Sequence, residues 1–491
     1  MPRPALSSTP CPAGCPLRIE RVDQRALSRL AAPALAALIA LTAGCTGDTV
    51  QGRPGASGVR DPYFPKAGNG GYQVDHYDLD LAYDPADKQL HGTAVITARA
   101  KQGLSSFNLD FAGLRVEDVT VQGAAARFNR SGTELTVRPP EDLEKGEVFR
   151  TEIDYTGTPK PVTDPDGSEE GWITTADGSV AVGEPVGSMG WFPGNHHPSD
   201  KATYDIRLTV PNDYEAVSNG ELRSRTAVGD GQTEFAWHNA EPMASYLATA
   251  AIGKFKVSTG RTPSGIGVYN AVSPDEAPSS AAALARIPEV VEWGSGKFGP
   301  YPFGTVGTIV VPDGTLTYAL ETQTKPVYSG APDEVLIVHE LAHQWFGDSV
   351  SPKSWKDMWL NEGFATYAEW MWAEEHGGLS AEKRFDAFLA GDTKVDPDAG
   401  SDWGAFPPAD PPGPEDISEA PVYARGAMVL HRIRQEVGDE KFAALLRGWA
   451  VEHRHGNAST ADFTAYAEKK TGHDLTEVWD VWLYGEDRPE A

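Results

Sequence analysis

Residues 335–369 read VLIVHELAHQWFGDSVSPKSWKDMWLNEGFATYAE, and this stretch decides how the rest of the chain is interpreted. It begins with an apolar run, and Asp333 just before it is a favourable N-cap, which predicts a helix. His339 and His343 are four residues apart, so their side chains leave one face of that helix about one turn apart. This spacing lets two imidazoles bind one tetrahedral cation. Glu340 lies beside them, where its carboxylate can reach a water molecule without binding the metal.

Two histidines leave a hydrolytic zinc site one protein ligand short. The tenth position after His339 holds Ser349, which excludes the three-histidine pattern of the metzincins. Glu362 is the better candidate, because it lies near the start of a second predicted helix, Asn361 to His376, which Gly377 would end. Two histidines and one glutamate predict a catalytic site for one Zn²⁺ per chain, since they leave a fourth position for water. A chance H-E-x-x-H on a buried helix is the alternative.

Residues 1–44 have the pattern of a signal peptide. Arginines precede an apolar run from Leu30 to Ala43, which is too short to span a bilayer comfortably. The run ends in LTAGC, which is similar to a bacterial lipobox with Cys45 as the lipid-bearing first residue of the mature chain. We therefore expect an exported lipoprotein held at the cell membrane and facing outside, or otherwise a secreted protein. An ordinary signal-anchor helix is the alternative.

Charge and cysteine content exclude several classes of protein. Cys45 is one of three cysteines, and the other two fall in the removable segment, so neither a disulfide nor a thiolate ligand is expected. The formal net charge of −28 argues against binding to nucleic acid or to anionic lipid. No other apolar run approaches membrane-spanning length, so membrane contact is expected only through the N-terminal lipid anchor.

Changes of composition and periodicity divide the rest of the chain. Residues 45–70 are rich in Gly, Pro and polar residues, which predicts a flexible tether. Residues 71–258 alternate apolar and polar residues between turn clusters, as is typical of an antiparallel β-sandwich domain. Residues 259–491 become mixed and then helical, and they include a strand-like run at Thr305–Val311 and an extended piece at Thr315–Thr324. The fold class is therefore multidomain α+β.

Together these motifs resemble the aminopeptidase N family of gluzincin zinc metallopeptidases. The H-E-x-x-H motif is followed after eighteen residues by the glutamate of Asn361–Ala365. Tyr318–Thr322 takes the place of the family's G-A-M-E-N element, with Tyr and Thr where the family has Gly and Asn. Trp191–Ala202 is similar to the segment W-F-P-x-N-D-H-P-x-D-K-A. The likeness covers nearly the whole mature chain.

The resemblance implies a fold and a set of roles. It implies an N-terminal antiparallel β-sandwich and a thermolysin-like α/β catalytic domain that ends in helices, and we expect no large C-terminal helical domain. It also implies that Glu321 and Glu184 receive the α-ammonium group of the substrate, and that Ala319 lies in an edge strand that pairs with the peptide. Tyr423 matches the tyrosine that stabilises the tetrahedral intermediate.

These expectations converge on a zinc-dependent aminopeptidase, a hydrolase that removes the first residue of peptides with a free N-terminus. Glu340 would be the general base. Glu369, seven positions after Glu362 and so on the same helical face, is a candidate partner for a ligand histidine, with a solvated charge as the alternative. A thermolysin-like endopeptidase, and a surface binding lipoprotein with a vestigial zinc site, are the alternative functions.

Overall fold

The computed structural model describes residues 52–489. The predicted signal peptide, the predicted lipidation site Cys45 and the first part of the expected tether lie outside the described residues. Within the described range, no helix combines the length and the apolar character that crossing a membrane requires.

The N-terminal part is built from strands whose side chains alternate between the core and the surface. In β2, for example, Val74, Tyr77, Leu79 and Leu81 are buried while their neighbours are partly or fully exposed. The strands are β1 Arg53–Pro54, β2 Tyr72–Asp84, β3 Gln89–Ala100, β4 Leu104–Asp110, β5 Arg115–Val121, β6 Ala124–Ala125, β7 Arg127–Ser131, β8 Glu134–Arg138, β9 Val148–Gly157, β10 Pro161–Thr163, β11 Glu169–Thr174, β12 Ser179–Val182, β13 Lys201–Pro211, β14 Glu215–Ser218, β15 Glu221–Gly229, β16 Gln232–Ala244 and β17 Ala250–Gly253.

Three sheets enclose this β-rich core. The largest has the order β15-β16-β13-β2-β3-β9-β5-β6, and two smaller sheets have the orders β10-β11-β12-β17-β14 and β1-β4-β8-β7. All pairs are antiparallel except β2 with β13 and β1 with β4. The expected β-sandwich character of the N-terminal part is therefore confirmed.

Residues 52–70 are packed against the protein, so the expectation of a flexible tether is wrong for this part of the segment 45–70. Asp61 is buried, and its Oδ2 lies 3.2 Å from His197 Nε2 and accepts a hydrogen bond from Ser354 Oγ at 2.7 Å. These contacts join the β-rich part to the helical part. A Gly- and Pro-rich composition suits an irregular packed segment as well as a tether, which is why composition could not distinguish them.

The C-terminal part contains a mixed sheet covered by helices. Its sheet has the order β18-β19-β20-β21, and a separate pair joins β22 to β23. The strands are β18 Lys256–Arg261, β19 Gly267–Val272, β20 Thr305–Val311, β21 Val327–Ser329, β22 Ser351–Pro352 and β23 Asn457–Ala458. The helices are α1 Ala277–Leu284, α2 Ile287–Phe298, α3 Glu334–His343, α4 Trp359–Glu375, α5 Ala381–Ala390, α6 Gly426–Val437, α7 Asp439–Glu452, α8 Thr460–Thr471 and α9 Thr476–Val478.

Two details of this part differ from the sequence-based expectation. The domain boundary expected between residues 258 and 259 falls inside β18, which pairs along its whole length with β19. The extended piece expected at Thr315–Thr324 is a loop, in which Leu320 alone makes an isolated bridge to Val327. Its leucines face the interior, but most of the segment has no neighbouring strand. The pattern of apolar residues cannot distinguish such a buried loop from a paired strand.

Candidate active site and metal centre

The predicted metal ligands lie on two neighbouring helices. α3 begins after Asp333, whose carboxylate caps the helix by accepting a hydrogen bond from the Leu336 amide at 2.8 Å. His339 and His343 lie on this helix, and Glu362 lies in the first turn of α4, which packs against α3. All three side chains are buried. The structure therefore brings together the three residues that the sequence analysis selected as ligands.

The spacing of the three donor atoms fits a tetrahedral zinc ion. Glu362 Oε2 is 3.2 Å from His339 Nε2 and 3.4 Å from His343 Nε2. Zinc–ligand bonds of about 2.0–2.1 Å in tetrahedral geometry place the ligand atoms about 3.3 Å apart. Two imidazole nitrogens and one carboxylate oxygen are also a donor set of catalytic zinc sites, which keep one position for water.

A second set of hydrogen bonds fixes the orientation of both imidazoles. His339 Nδ1 donates to Glu369 Oε1 at 2.6 Å, and His343 Nδ1 donates to the Phe346 carbonyl oxygen at 3.1 Å. Each bond leaves the Nε2 lone pair for the metal. Burial opposes the charged imidazole, but while Nε2 bonds to Glu362 in place of a metal, that bond and the one to Glu369 raise the pKa of His339 well above its usual range, so zinc must displace the Nε2 proton when it binds. Glu369 thus lies where a partner of a ligand histidine was expected.

Glu340 is the side chain placed to act on the water molecule. It is buried on α3, and one of its carboxylate oxygens lies within 4.8 Å of donor atoms of Glu321 and His343. Burial raises the pKa of Glu340 to about 8, and the neighbouring imidazoles of His339 and His343 oppose that rise. A divalent cation at the ligand set favours the charged carboxylate, so it lowers this pKa and makes a base available near neutral pH.

Glu184 and Glu321 converge beside the ligand set from different parts of the chain. One carboxylate oxygen of each lies within 4.8 Å of the other and of Glu362. Nothing in residues 52–489 donates a hydrogen bond to Oε1 of either side chain. Burial raises the pKa of both, and the nearby Glu362 carboxylate adds to the rise. An ammonium group between them would supply the missing donors and lower both pKa values.

Two side chains that the sequence analysis did not select hold this pair in place. The fully buried Glu170 accepts a hydrogen bond from the Val186 amide at 3.2 Å, which fixes the loop that carries Glu184. Gln344 Nε2 donates to the Glu321 carbonyl oxygen at 3.2 Å. Nothing in the sequence marks either residue, because β11 reads EEGWIT and Glu170 is simply the second of two adjacent glutamates at its start.

Tyr423 lies in a π-helical turn, Pro421–Arg425, directly before α6. Its ring is nearly parallel to that of His339, with an angle of 16° and centroids 6.1 Å apart. Burial and the nearby carboxylates raise the pKa of Tyr423 well above its usual range, so it stays a hydroxyl donor. The buried Arg425 holds the turn by donating from Nε to the Trp482 carbonyl oxygen at 2.9 Å. Such π-helical turns occur frequently at functional sites.

One cleft of about 650 Å³ is lined by the three metal ligands and by Glu340, Glu369, Glu184, Glu321 and Tyr423. Ala319 lies in its wall, in the loop that replaces the expected edge strand. The pair His196–His197, within the segment Trp191–Ala202, lies in a loop outside the cleft lining. Both rings are buried, and His196 Nε2 lies 3.0 Å from the Phe192 carbonyl oxygen.

Two family models match the chain. The model described as Peptidase M1 N-terminal domain matches residues 73–247, and the model described as Peptidase family M1 domain matches residues 305–482. The second match contains every residue of the metal-ligand set, together with Glu340, Glu369 and Tyr423.

Among curated proteins, glutamyl aminopeptidase of Bos taurus is 28% identical over 326 residues, which is 61% of this chain and 33% of that protein. Aminopeptidase A of Gloydius brevicauda is 25% identical over 448 residues, which is 83% of this chain and 46% of that protein. The chain therefore spans about a third to a half of the length of these relatives.

Among solved structures, an M1 zinc metallopeptidase from Deinococcus radiodurans is similar, with a TM-score of 0.80 and 30% sequence identity. The match covers 88% of this chain and 98% of that one. A mutant of that protein bound to a Tyr-Ser-Ala substrate matches with the same TM-score and coverage. The arrangement of a β-rich N-terminal part and a helical catalytic part is therefore shared with a known zinc metallopeptidase.

Proposed function

The chain belongs to peptidase family M1, and from this membership we propose that it is a zinc-dependent aminopeptidase that releases the first residue of peptides with a free N-terminus. The observation that carries the proposal is the position of Glu184 and Glu321, whose unpartnered carboxylate oxygens lie beside the metal ligands. A peptide whose ammonium group is held there presents its first peptide bond, and no later one, to the ligand set.

A zinc ion held by His339, His343 and Glu362 would be a Lewis acid that lowers the pKa of a water molecule and polarises the scissile carbonyl. Glu369 and the Phe346 carbonyl oxygen keep the two imidazoles in the tautomer that this binding requires.

Glu340 acts first as the general base and then as the general acid of the reaction. Its carboxylate accepts the proton of the attacking water and then donates it to the nitrogen of the leaving amine. The burial that raises its pKa makes the protonated form a competent acid for the second step. A single side chain can therefore serve both halves of the hydrolysis.

Tyr423 stabilises the charge that develops on the carbonyl oxygen. Its hydroxyl donates a hydrogen bond, and donors of this kind contribute about 3 kcal/mol to the transition state. Because Arg425 and the π-helical turn fix the ring before substrate arrives, little reorganisation is needed during the reaction.

Glu184 and Glu321 make the site select free N-termini. Two carboxylates, the partly buried Glu184 and the buried Glu321, would form charge-assisted hydrogen bonds to an ammonium group between them. An acetylated N-terminus brings no charge and leaves both carboxylates desolvated without partners, which is costly. This selection distinguishes an aminopeptidase from an endopeptidase of thermolysin type with the same zinc site.

The test compares one reporter in two forms. We expect hydrolysis of leucine 4-nitroanilide, inhibition of that hydrolysis by a zinc chelator, and recovery after zinc is added back. N-acetyl-leucine 4-nitroanilide, the matched control, should not be hydrolysed. Internal cleavage of acetylated peptides would instead identify an endopeptidase, and absence of any hydrolysis by zinc-loaded protein would exclude both activities.

We also propose that the protein is exported and anchored by lipid on Cys45, and that its partners are peptides. The arginine-rich start, the short apolar run and the sequence LTAGC support export, and the net charge of −28 supports peptides over nucleic acids as partners. Mass spectrometry of the mature N-terminus is the test. A lipid-modified Cys45 supports anchoring, an unmodified N-terminus after cleavage identifies a secreted protein, and an uncleaved chain refutes the signal peptide.

A further inference from the structure

Eight carboxylates line the cleft, and among its lining residues in the described part of the chain there is no lysine or arginine. They are Asp164, Asp166, Glu184, Glu321, Asp333, Glu340, Glu362 and Glu369. Five of them belong to the ligand set, to its supporting contact, to the base or to the ammonium-binding pair. A sixth, Asp333, caps α3. Asp164 and Asp166 therefore have no part in the reaction described so far.

These two residues lie on the turn between β10 and β11, which the structure holds against the cleft. Within the turn, the Ser168 amide donates to Asp166 Oδ1 at 2.7 Å, and Gly167 adopts a φ of 90°. The Tyr318 hydroxyl donates to the Glu169 carbonyl oxygen at 3.2 Å. Because Tyr318 directly precedes Ala319, this bond joins the turn to the wall that leads to Glu321.

Asp164 is the independent sign of a ligand at this turn. Only 7% of its surface is exposed, it lines the cleft, and nothing in residues 52–489 donates a hydrogen bond to its Oδ1. Burial raises the pKa of Asp164 to about 7, and the Asp166 carboxylate adds to that rise. A buried carboxyl oxygen without a donor is costly, whereas a cationic ligand would supply both a donor and a charge.

The geometry of the proposed reaction indicates which part of the substrate can reach this turn. Glu184 and Glu321 fix the α-ammonium group, and the ligand set fixes the first carbonyl group. Both groups are bonded to the same Cα, so the first side chain must leave that Cα within the same cleft. Tyr318 and Ala319 line the same cleft as the ammonium-binding pair and the turn, and the Tyr318 hydroxyl contacts the start of β11 beside the turn.

We propose that the cleft selects a basic first residue, lysine or arginine, whose cationic head is bound by Asp164 and Asp166. The inference rests on the proposed aminopeptidase function and names its substrate class. An acidic first residue would face two carboxylates at the turn without a compensating cation, so it is rejected. The preference thus differs from the one that the name glutamyl aminopeptidase states for a curated relative of this chain.

The experiment compares two substrates of nearly equal shape, arginine 4-nitroanilide and citrulline 4-nitroanilide, on the zinc-loaded protein. Citrulline replaces the guanidinium group by a neutral urea, so only the charge contacts differ. We expect kcat/KM to be about tenfold or more higher for arginine, as the loss of charge-assisted hydrogen bonds predicts. The ratio should fall as salt is added, because Asp166 is exposed and its interaction is screened.

Variants test whether Asp164 and Asp166 cause the preference for arginine over citrulline. In D164N/D166N the arginine-to-citrulline ratio should approach one, and in D166N it should lie between that value and the ratio of the unchanged protein. D118N, which removes an exposed carboxylate outside this cleft, should leave the ratio unchanged. Because each ratio is taken within one variant, a smaller fraction of folded enzyme cancels.

The outcomes separate this inference from the function on which it rests. Hydrolysis of leucine 4-nitroanilide together with equal rates for arginine and citrulline would overturn the inference and leave the aminopeptidase. A preference for arginine that survives in D164N/D166N would overturn the role of the turn. Absence of hydrolysis of every free-amine reporter would overturn the proposed function and the inference with it.

Discussion

The metal end of the cleft, formed by His339, His343 and Glu362, has its imidazoles fixed by partners within the protein, namely Glu369 and a backbone carbonyl oxygen. The ammonium end, formed by Glu184 and Glu321, keeps carboxylate oxygens that no described residue satisfies. The imidazoles of the metal end are therefore held by the protein itself, whereas the proposed function requires the substrate's ammonium group to supply the missing donors at the other end. A rigid ligand set suits hydrolysis, which needs fixed geometry around the metal. Carboxylates without partners suit the selection of substrates that carry a cation.

Replacing Glu340 by Gln tests whether chemistry and metal binding are separate at the metal end. We expect kcat to fall about 10²- to 10⁴-fold, because the general base is lost, while zinc content stays at one ion per chain. Reporter hydrolysis and metal analysis on the same sample measure both quantities. Glu334→Gln, on the same helix but outside the cleft lining, is the control and should keep its activity. Loss of zinc from the Glu340 variant would show that this residue belongs to the ligand set.

Replacing Tyr423 by Phe removes the hydroxyl that is proposed to donate a hydrogen bond to the carbonyl oxygen of the substrate. The expected loss is about 10²- to 10³-fold in kcat with little change in KM, because the hydrogen bond forms only as charge develops on the substrate. Steady-state kinetics separate the two constants. The Phe ring preserves the packing against His339, so the melting temperature should not change. A rise in KM with kcat preserved would instead assign Tyr423 to substrate binding.

Replacing Glu321 by Gln tests the ammonium end directly. The variant should lose about 10- to 100-fold in kcat/KM toward free-amine reporters, because a charge-assisted hydrogen bond becomes a neutral one. It should retain zinc and its melting temperature while hydrolysis of the free-amine reporter falls. An unchanged rate on that reporter would place the recognition of the N-terminus elsewhere.

Replacing Glu369 by Gln should have the smallest effect on rate. We expect zinc affinity to fall about 10- to 100-fold, because His339 loses the carboxylate that orients its ring. Activity should return when zinc is raised in a buffered series. A rate that stays low at saturating zinc would show that Glu369 acts on the substrate and not through His339.

The metal end could be derived from sequence because its parts are local. Four-residue spacing places His339 and His343 on one helical face, and the cap at Asp333 marks where that helix begins. Glu369 followed from the same periodicity applied to the next helix.

The ammonium end could not be derived in this way, because its carboxylates meet only in the folded chain. Glu184 and Glu321 are far apart in sequence and were selected only through the family resemblance. Glu170, which holds the loop of Glu184, depends on a contact between strand β11 and that loop. The role of Asp164 becomes visible only when burial and missing partners are known.

The packing of residues 52–70 sets a limit on where an anchored form could work. If lipid on Cys45 holds the mature chain as proposed, only six residues separate it from the first described residue, Gly52. Seven consecutive Cα–Cα steps span at most about 25 Å, even when fully extended. In an anchored form, Gly52 would therefore stay within that distance of the lipid-bearing residue, and substrates would have to approach the protein close to the membrane surface.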